Sequence, residues 1–257
     1  MSKESEPPAG SQRSLPYGED TLVLCYHALS ERFPAQLSTT PELFERQLER
    51  LVHRGYRGVT FSQATASPAG RTVAVTFDDG YRSVLKFGLP VLQALGWPAT
   101  IFVPTDFIGS DRPMSWPGID RWLGDEHESE LLALGWGDLD TLASQGWEVG
   151  SHTCSHPRLT QLEDGLLARE LSESKSACEL HLKRPCCTLA YPYGDVDARV
   201  ANAAREAGYS SAAALRPGPR SPMEWPRVGV YFKDNLTRFS LKSAQSVRRL
   251  RGERPSD

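Results

Sequence analysis

Short apolar runs alternate with longer segments whose apolar residues recur every three or four positions, from Thr21 almost to the end of the chain. Runs of the first kind mark buried strands, segments of the second kind mark amphipathic helices, and their alternation predicts parallel βα units. The series opens with the strand TLVLCYH. A helix follows, since Thr40-Pro41 supplies an N-cap and a first-turn proline, Phe44, Leu48, Leu51 and Val52 share one face, and Gly55 ends it. Next come a weak strand near Val59–Phe61, the strand RTVAVTF, a helix around Val84–Leu95 and the strand ATIFV. A helix over Asp138–Gln145, the strand WEVGSH, and a longer helix with Leu167, Leu171, Cys178 and Leu182 on one stripe continue the pattern. The strand CCTLAY, a helix carrying Val200, Ala203, Ala204 and Ala207, and the strands YSSAAAL and PRVGVY complete it. The expected fold class is α/β, as a distorted or incomplete (β/α) barrel of about seven strands, with an open doubly wound sheet as its rival.

Outside this series the pattern changes. Residues 1–20 are polar and rich in Pro, Ser and Gly, which predicts a disordered leader; residues 21–240 form the barrel domain, and residues 241–257 read as a solvated basic tail with Arg248, Arg249, Arg251 and Arg254. No apolar run approaches the ~18 residues of a membrane span, and the leader lacks the apolar core of a secretory signal, so the expected location is cytoplasmic. Gly109–Gly137 is a long irregular insertion holding Trp116, Trp122 and Trp136. Long loops in compact domains serve as lids or binding loops, and the indoles either stack on sugar faces or fasten the loop to the barrel.

With 257 residues, 39% hydrophobic and 24% charged, the chain has the composition of a soluble globular protein with a substantial core. A net charge of -3 gives no electrostatic argument for nucleic acid. Five cysteines (Cys25, Cys154, Cys178, Cys186 and Cys187) form no disulfide framework and are expected as reduced thiols.

The stretch VAVTFDDG sets two like charges, Asp78 and Asp79, side by side at the end of an apolar strand, an arrangement that needs a reward from elsewhere. The stretch SHTCSH offers one: His152 and His156 stand four residues apart, expected on one side of a helical turn where both imidazoles reach one ion. A carboxylate from DDG completes the three-ligand set of a catalytic zinc site, whose fourth position is left to water. If the backbone turns where the strand ends at Gly80, both aspartates line one pocket, one free for a cation and the other for a proton. Cys154, offset by two, turns away from the histidines and is read as packing. DDG, SHTCSH, YPYG and YH all fall just past the C-terminal ends of different strands, the rim from which barrel enzymes build their sites.

TFDDG, HTCSH and YPYG occur in the order and approximate spacing of the polysaccharide deacetylases, the carbohydrate esterase group sharing the NodB homology domain, and the chain resembles that family over roughly Thr21 to Ser240. The resemblance implies Asp79, His152 and His156 as metal ligands, Asp78 as general base and the backbone N–H of Tyr193 as a donor to the tetrahedral oxyanion. It also implies a divalent metal, zinc first, with iron, cobalt or nickel able to occupy the same ligands. An amine leaves only when protonated, so a general acid is required. Many family members draw it from a C-terminal histidine motif, yet the last histidine here is His181, ahead of the third motif. A branch with permuted motif order has a Tyr-His near its N-terminus, which CYHALS resembles, making His27 the candidate acid while His53 and His127 read as solvated. The third motif also departs from the family: the arginine that usually pairs with the base is replaced by Ala190, leaving Arg82 or Arg227 to substitute. The implied activity is metal-dependent removal of N-acetyl groups from an N-acetylated sugar, either an oligosaccharide or a lipid-linked glycan intermediate. The alternatives are hydrolysis of a non-sugar amide or ureide on the same barrel, and glycan binding by an inactive site.

Overall fold

The computed structural model describes residues 20–66 and 70–252. The expected leader up to residue 19, and Arg254 of the expected tail, lie outside the described residues. The chain enters as β1 (Asp20–Tyr26), one residue earlier than expected, followed by a small parallel pair, β2 (Ala28–Leu29) and β3 (Ser38–Thr39). In α1 (Pro41–His53) the Thr40 hydroxyl accepts from the Leu43 N–H, Pro41 fixes the first turn, and Phe44, Leu48 and Leu51 are buried. The weak strand is β4 (Arg57–Val59); Phe61 instead begins α2 (Phe61–Thr65), because Thr60 and Gln63 form a capping box that starts a helix there.

After β5 (Arg71–Phe77), the expected helix is divided. Residues Val84–Gly88 form a π-turn in which the Leu89 N–H reaches Val84, and α3 (Leu89–Leu95) follows. Pro90 explains the break, since it has no N–H to return to the preceding turn. The remaining elements are β6 (Thr100–Val103), α4 (Trp136–Ser144), β7 (Glu148–Ser151), α5 (Asp164–Leu182), β8 (Thr188–Ala190) and α6 (Ala198–Glu206). The chain ends with β9 (Ser211–Ala214), β10 (Trp225–Pro226), β11 (Val228–Gly229), α7 (Leu236–Lys242) and α8 (Gln245–Leu250).

All strands of the main sheet run parallel in the order β10-β9-β8-β7-β6-β5-β1-β11, with β4 beside β5. The two ends of this order, β10 and β11, are separated in sequence by Arg227 alone. One short segment therefore pairs with both edges, Trp225 opposite Ala213 and Val228 opposite Leu24, and nearly closes the sheet into a barrel. The distorted (β/α) barrel is the observed fold, not the open sheet.

Strand alternation sorts the side chains. Leu22, Leu24, Val73 and Val75 join Leu48 and Leu51 in the large core beneath the helices. Val23, Ala74, Phe102, Ala190, Ala213 and Trp225 form a separate cluster, the filling of the barrel, together with Phe61 and Ala64 of α2. Phe61 meets Phe102 edge-on at 5.6 Å, so α2 plugs the N-terminal end of the barrel. Gly150 is required by this filling, because a Cβ there would lie 2.6 Å from the Phe102 ring. Glu148 is satisfied inside by the Thr100 and Thr188 hydroxyls and the Ser62 N–H. Following the same alternation past the strand ends puts His27 in phase with Val23, Asp78 with Ala74, and His152 with Gly150.

The expected basic tail is folded to Leu250 instead. Arg248 is 4% exposed, and its guanidinium bonds the Asp20 carboxylate and the Thr21 carbonyl, while the Tyr56 hydroxyl donates to the other Asp20 oxygen. Arg249 and Arg251 are exposed, as expected. In the insertion, Trp122 packs on Phe33 at 5.3 Å and Trp136 stacks on His181 at 4.2 Å, so both fasten the loop. The five cysteines are free thiols. Among the described residues no helix is long and apolar enough to cross a membrane.

Candidate metal centre and catalytic cavity

Beyond Phe77 the chain turns through left-handed backbone at Asp79 (φ 70°) and Gly80 (φ 69°). In a continued strand the two aspartates would face opposite ways; this turn brings both into the barrel mouth. The histidines arrive differently from expectation. After β7 there is no helical turn but a loop with left-handed residues at Thr153 (φ 69°) and His156 (φ 62°), held by a 3.1 Å bond from the His156 N–H to the Thr153 hydroxyl. Tyr193, in the third motif, is left-handed as well (φ 59°). Such conformations cost roughly 1–3 kcal/mol each for residues with a Cβ and persist where the surroundings enforce them. Four of the five such residues among the described ones gather at this mouth, so the strained backbone is concentrated there.

Asp79 Oδ1 lies 3.3 Å from His152 Nε2 and 3.4 Å from His156 Nε2, and all three residues are buried. His152 Nδ1 lies 2.7 Å from the Ala190 carbonyl, which places the proton on Nδ1 and leaves the Nε2 lone pair facing Asp79. Burial pushes His156 down to about 3, so its imidazole is neutral and ready to ligate. Burial alone would lower His152 too, but the charges of Asp78 and Asp79 outweigh it and raise it. Asp79 Oδ1 is a buried acceptor with no hydrogen-bond partner among the described residues. A cation answers both the gathered negative charge and the orphaned oxygen, so this donor set fits a divalent metal. Cys154 is not part of it: the thiol points to the Glu170 carbonyl at 3.6 Å, and Glu170 also holds the Cys154 N–H at 2.8 Å.

Asp78 receives a two-pronged grip from Arg227, Nη1 to Oδ1 at 2.6 Å and Nη2 to Oδ2 at 2.7 Å. Burial works to raise Asp78, yet the Arg227 guanidinium, with His152 and His27, holds it well below the usual carboxylate range. Asp78 is thus ionised. Arg227 reaches it because it is the residue between β10 and β11, where its side chain enters the barrel and also bonds the Thr76 hydroxyl at 3.0 Å. Arg82 is engaged elsewhere, with the Ala133 carbonyl and Asp111. The gap at Ala190 is filled from the far end of the domain.

His27 is buried and lines the same cavity of about 600 Å³ as Asp78, Asp79, His152, His156 and Tyr193. Burial lowers its pKa against the pull of both aspartates. His53 is exposed on α1, and His127 is wedged between Phe33 and Trp122 and not solvated as expected. Trp116 stacks on His156 at 4.0 Å and 19°, and the Tyr193 ring closes on the same imidazole at 4.7 Å. Sequence reasoning did not assign Trp116 to a metal ligand; no local signal distinguishes it from the two fastening tryptophans.

Comparison with known proteins decides the lineage of this arrangement. A family profile described as polysaccharide deacetylase matches residues 65–212, a span containing Asp78, Asp79, His152, His156 and Tyr193. The chain belongs to the polysaccharide deacetylase family. His27 and Arg227 lie outside the matched span. The Bacillus subtilis protein YxkH, named as a polysaccharide deacetylase, is 26% identical over 205 residues, which take in 77% of this chain and 66% of YxkH. The chain therefore spans slightly less than two thirds of that relative. Among solved structures, IcaB from Ammonifex degensii superposes with a TM-score of 0.71 at 26% identity, covering 89% of this chain and 99% of that one. The Streptococcus pyogenes deacetylase PplD, in complex with acetate, gives 0.74 at 20% identity over 88% of this chain and 99% of its own.

Proposed function

We propose that this polysaccharide deacetylase hydrolyses the N-acetyl group of an N-acetylated sugar, with a divalent metal, Zn²⁺ first, held by Asp79, His152 and His156. The observation that carries the reading is the convergence of those three side chains on one point beside an Asp78 carboxylate kept ionised by Arg227. A divalent ion bound there supplies positive charge that polarises the amide carbonyl and lowers the pKa of water from 15.7 towards ~7. Asp78 takes a proton from the attacking water as its oxygen adds to the acetyl carbon. The Tyr193 backbone N–H holds the oxyanion of the tetrahedral intermediate. The neutral His27 relays the proton that Asp78 has taken from the water to the nitrogen as the C–N bond breaks, and acetate and a free amine leave. A positioned base or acid of this kind contributes roughly 10²–10⁴-fold. Trp116 and Trp122 both stand in the wall of the cavity.

The test is acetate release by metal-loaded protein from N-acetylated chitooligosaccharides and from a panel of non-sugar amides and ureides. Turnover on the sugars supports the reading. Acetate from a non-sugar amide alone moves the substrate class, and glycan binding without turnover on any substrate makes the protein a binding module. For the acid, His27→Ala slows amide cleavage more than cleavage of an acetyl ester with a good leaving group; equal losses would remove His27 from the role.

A further inference from the structure

A second cavity, of about 690 Å³, opens as a groove beside the catalytic one, and Gln36, Arg121 and Tyr231 line both. Its wall carries Arg121, Lys233, Arg238, Lys242 and Arg251 against a single carboxylate, Asp234. That carboxylate is already taken. It is buried, accepts from Lys242 Nζ at 2.5 Å and from the Tyr231 N–H at 2.9 Å, and lies 3.7 Å from Arg238 Nε. Among the described residues, no carboxylate lies within ion-pairing distance of Arg121, Lys233 or Arg251, all three of which are exposed. The chain as a whole has a net charge of -3, so this concentration of cations is a matter of placement and not of composition. Arg121 lines both cavities, with its guanidinium over the Trp122 ring at 4.8 Å.

We propose that this groove is a subsite for an anionic group on the substrate, a phosphate or a carboxylate carried at a distance from the N-acetyl group being cleaved. The inference rests on the catalytic cavity accepting an N-acetylated glycan, and it narrows that glycan to an acidic one. The chemistry favours this occupant. A neutral sugar gains little by displacing water from guanidinium and ammonium groups, whereas phosphate or carboxylate oxygens make charge-assisted bonds to them, and the arginine forks suit either group. A glycan chain with its acetamido group at Asp78 and Asp79 and its next units passing Arg121 delivers such a group to Lys233 and Arg251.

The experiment is calorimetric binding of three N-acetylated oligosaccharides to the metal-loaded protein: a neutral one, one carrying a phosphate at its reducing end, and one containing a uronate. The expected result is that at least one acidic glycan binds about tenfold more tightly than the neutral one at low salt, with the advantage falling as salt rises. The acidic arm with the larger advantage identifies the group. In the combined variant Arg121→Gln, Lys233→Gln, Arg251→Gln, whose sites are exposed and whose fold is checked by circular dichroism, the ratio of acidic to neutral affinity collapses towards one. Equal affinity of all three glycans for the wild-type protein overturns the subsite, as does a preference that survives the triple substitution. Preferential binding of an acidic glycan without acetate release from any of the three leaves the subsite standing and removes the deacetylase reading instead.

Discussion

The barrel holds an arginine–aspartate pair at each end, Arg227 with Asp78 at the mouth and Arg248 with Asp20 at the base. Both are buried, and both arginines come from the last part of the chain. At the base the Asp20 oxygens are divided between Arg248 and the Tyr56 hydroxyl, and Arg248 also bonds the Thr21 carbonyl. These contacts join the first strand to the last helix and to the segment after α1. At the mouth, one guanidinium takes both oxygens of Asp78, and the carboxylate still lines the cavity beside His27 and His152. Burying an ion pair carries a desolvation cost that its attraction barely offsets, so neither pair is explained by stability alone. The pair at the base ties the first strand to the last helix; the pair at the mouth keeps Asp78 ionised in a place that would otherwise neutralise it.

The difference is widest at the metal ligand. Asp79→Ala should lose the bound ion and bring acetate release to background, and chelation of the wild-type protein should do the same, both read by metal analysis alongside turnover. Next, Asp78→Asn should retain the metal while turnover falls roughly 10²–10⁴-fold; Asp20→Asn should leave turnover per folded molecule unchanged. Removing the arginines tests the comparison directly. Arg227→Met and Arg248→Met each leave a buried carboxylate unpaired and should each cost about 3–5 kcal/mol in urea unfolding, but only Arg227→Met should also lower kcat. A loss of kcat in folded Arg248→Met would erase the distinction between the two ends.

The smallest effect lies at alkaline pH. Burial, helped by Asp20, pushes the Tyr56 hydroxyl from 10.0 up to about 12. Because the folded value is the higher one, the stabilisation is complete below pH 10 and is lost as pH rises through about 12. Tyr56→Phe should therefore be less stable at neutral pH yet lose less between pH 10 and pH 12, as followed by unfolding midpoints.

What the sequence discloses follows the range of the physics. Burial acts on each residue separately, so the apolar run of RTVAVTF and the stripe of α1 can be read directly, and the strand and helix they predict are both present. Cap chemistry is equally local, yet the Thr60–Gln63 box went unread and Phe61 was assigned to a strand. Asp78, Asp79, His152 and His156 stand out because their side-chain chemistry has few other uses in that order. The backbone does not: Asp79, Thr153, His156 and Tyr193 adopt a conformation that sequence signals only through glycine. The partner of Asp78 was legible only as a choice between two arginines, since the contact that decides it spans 149 positions and depends on how the barrel closes. Arg248 was misread for the same reason, its partner Asp20 lying 228 positions away.

The segment that seals the barrel, from Trp225 to Gly229, is also the one that delivers Arg227 to Asp78. It pairs with its neighbours through only two residues on either side, so it ranks among the stretches most easily released by local opening. Releasing that segment would withdraw the guanidinium and leave a buried carboxylate without its partner. Closure of the sheet and pairing of Asp78 are one and the same event.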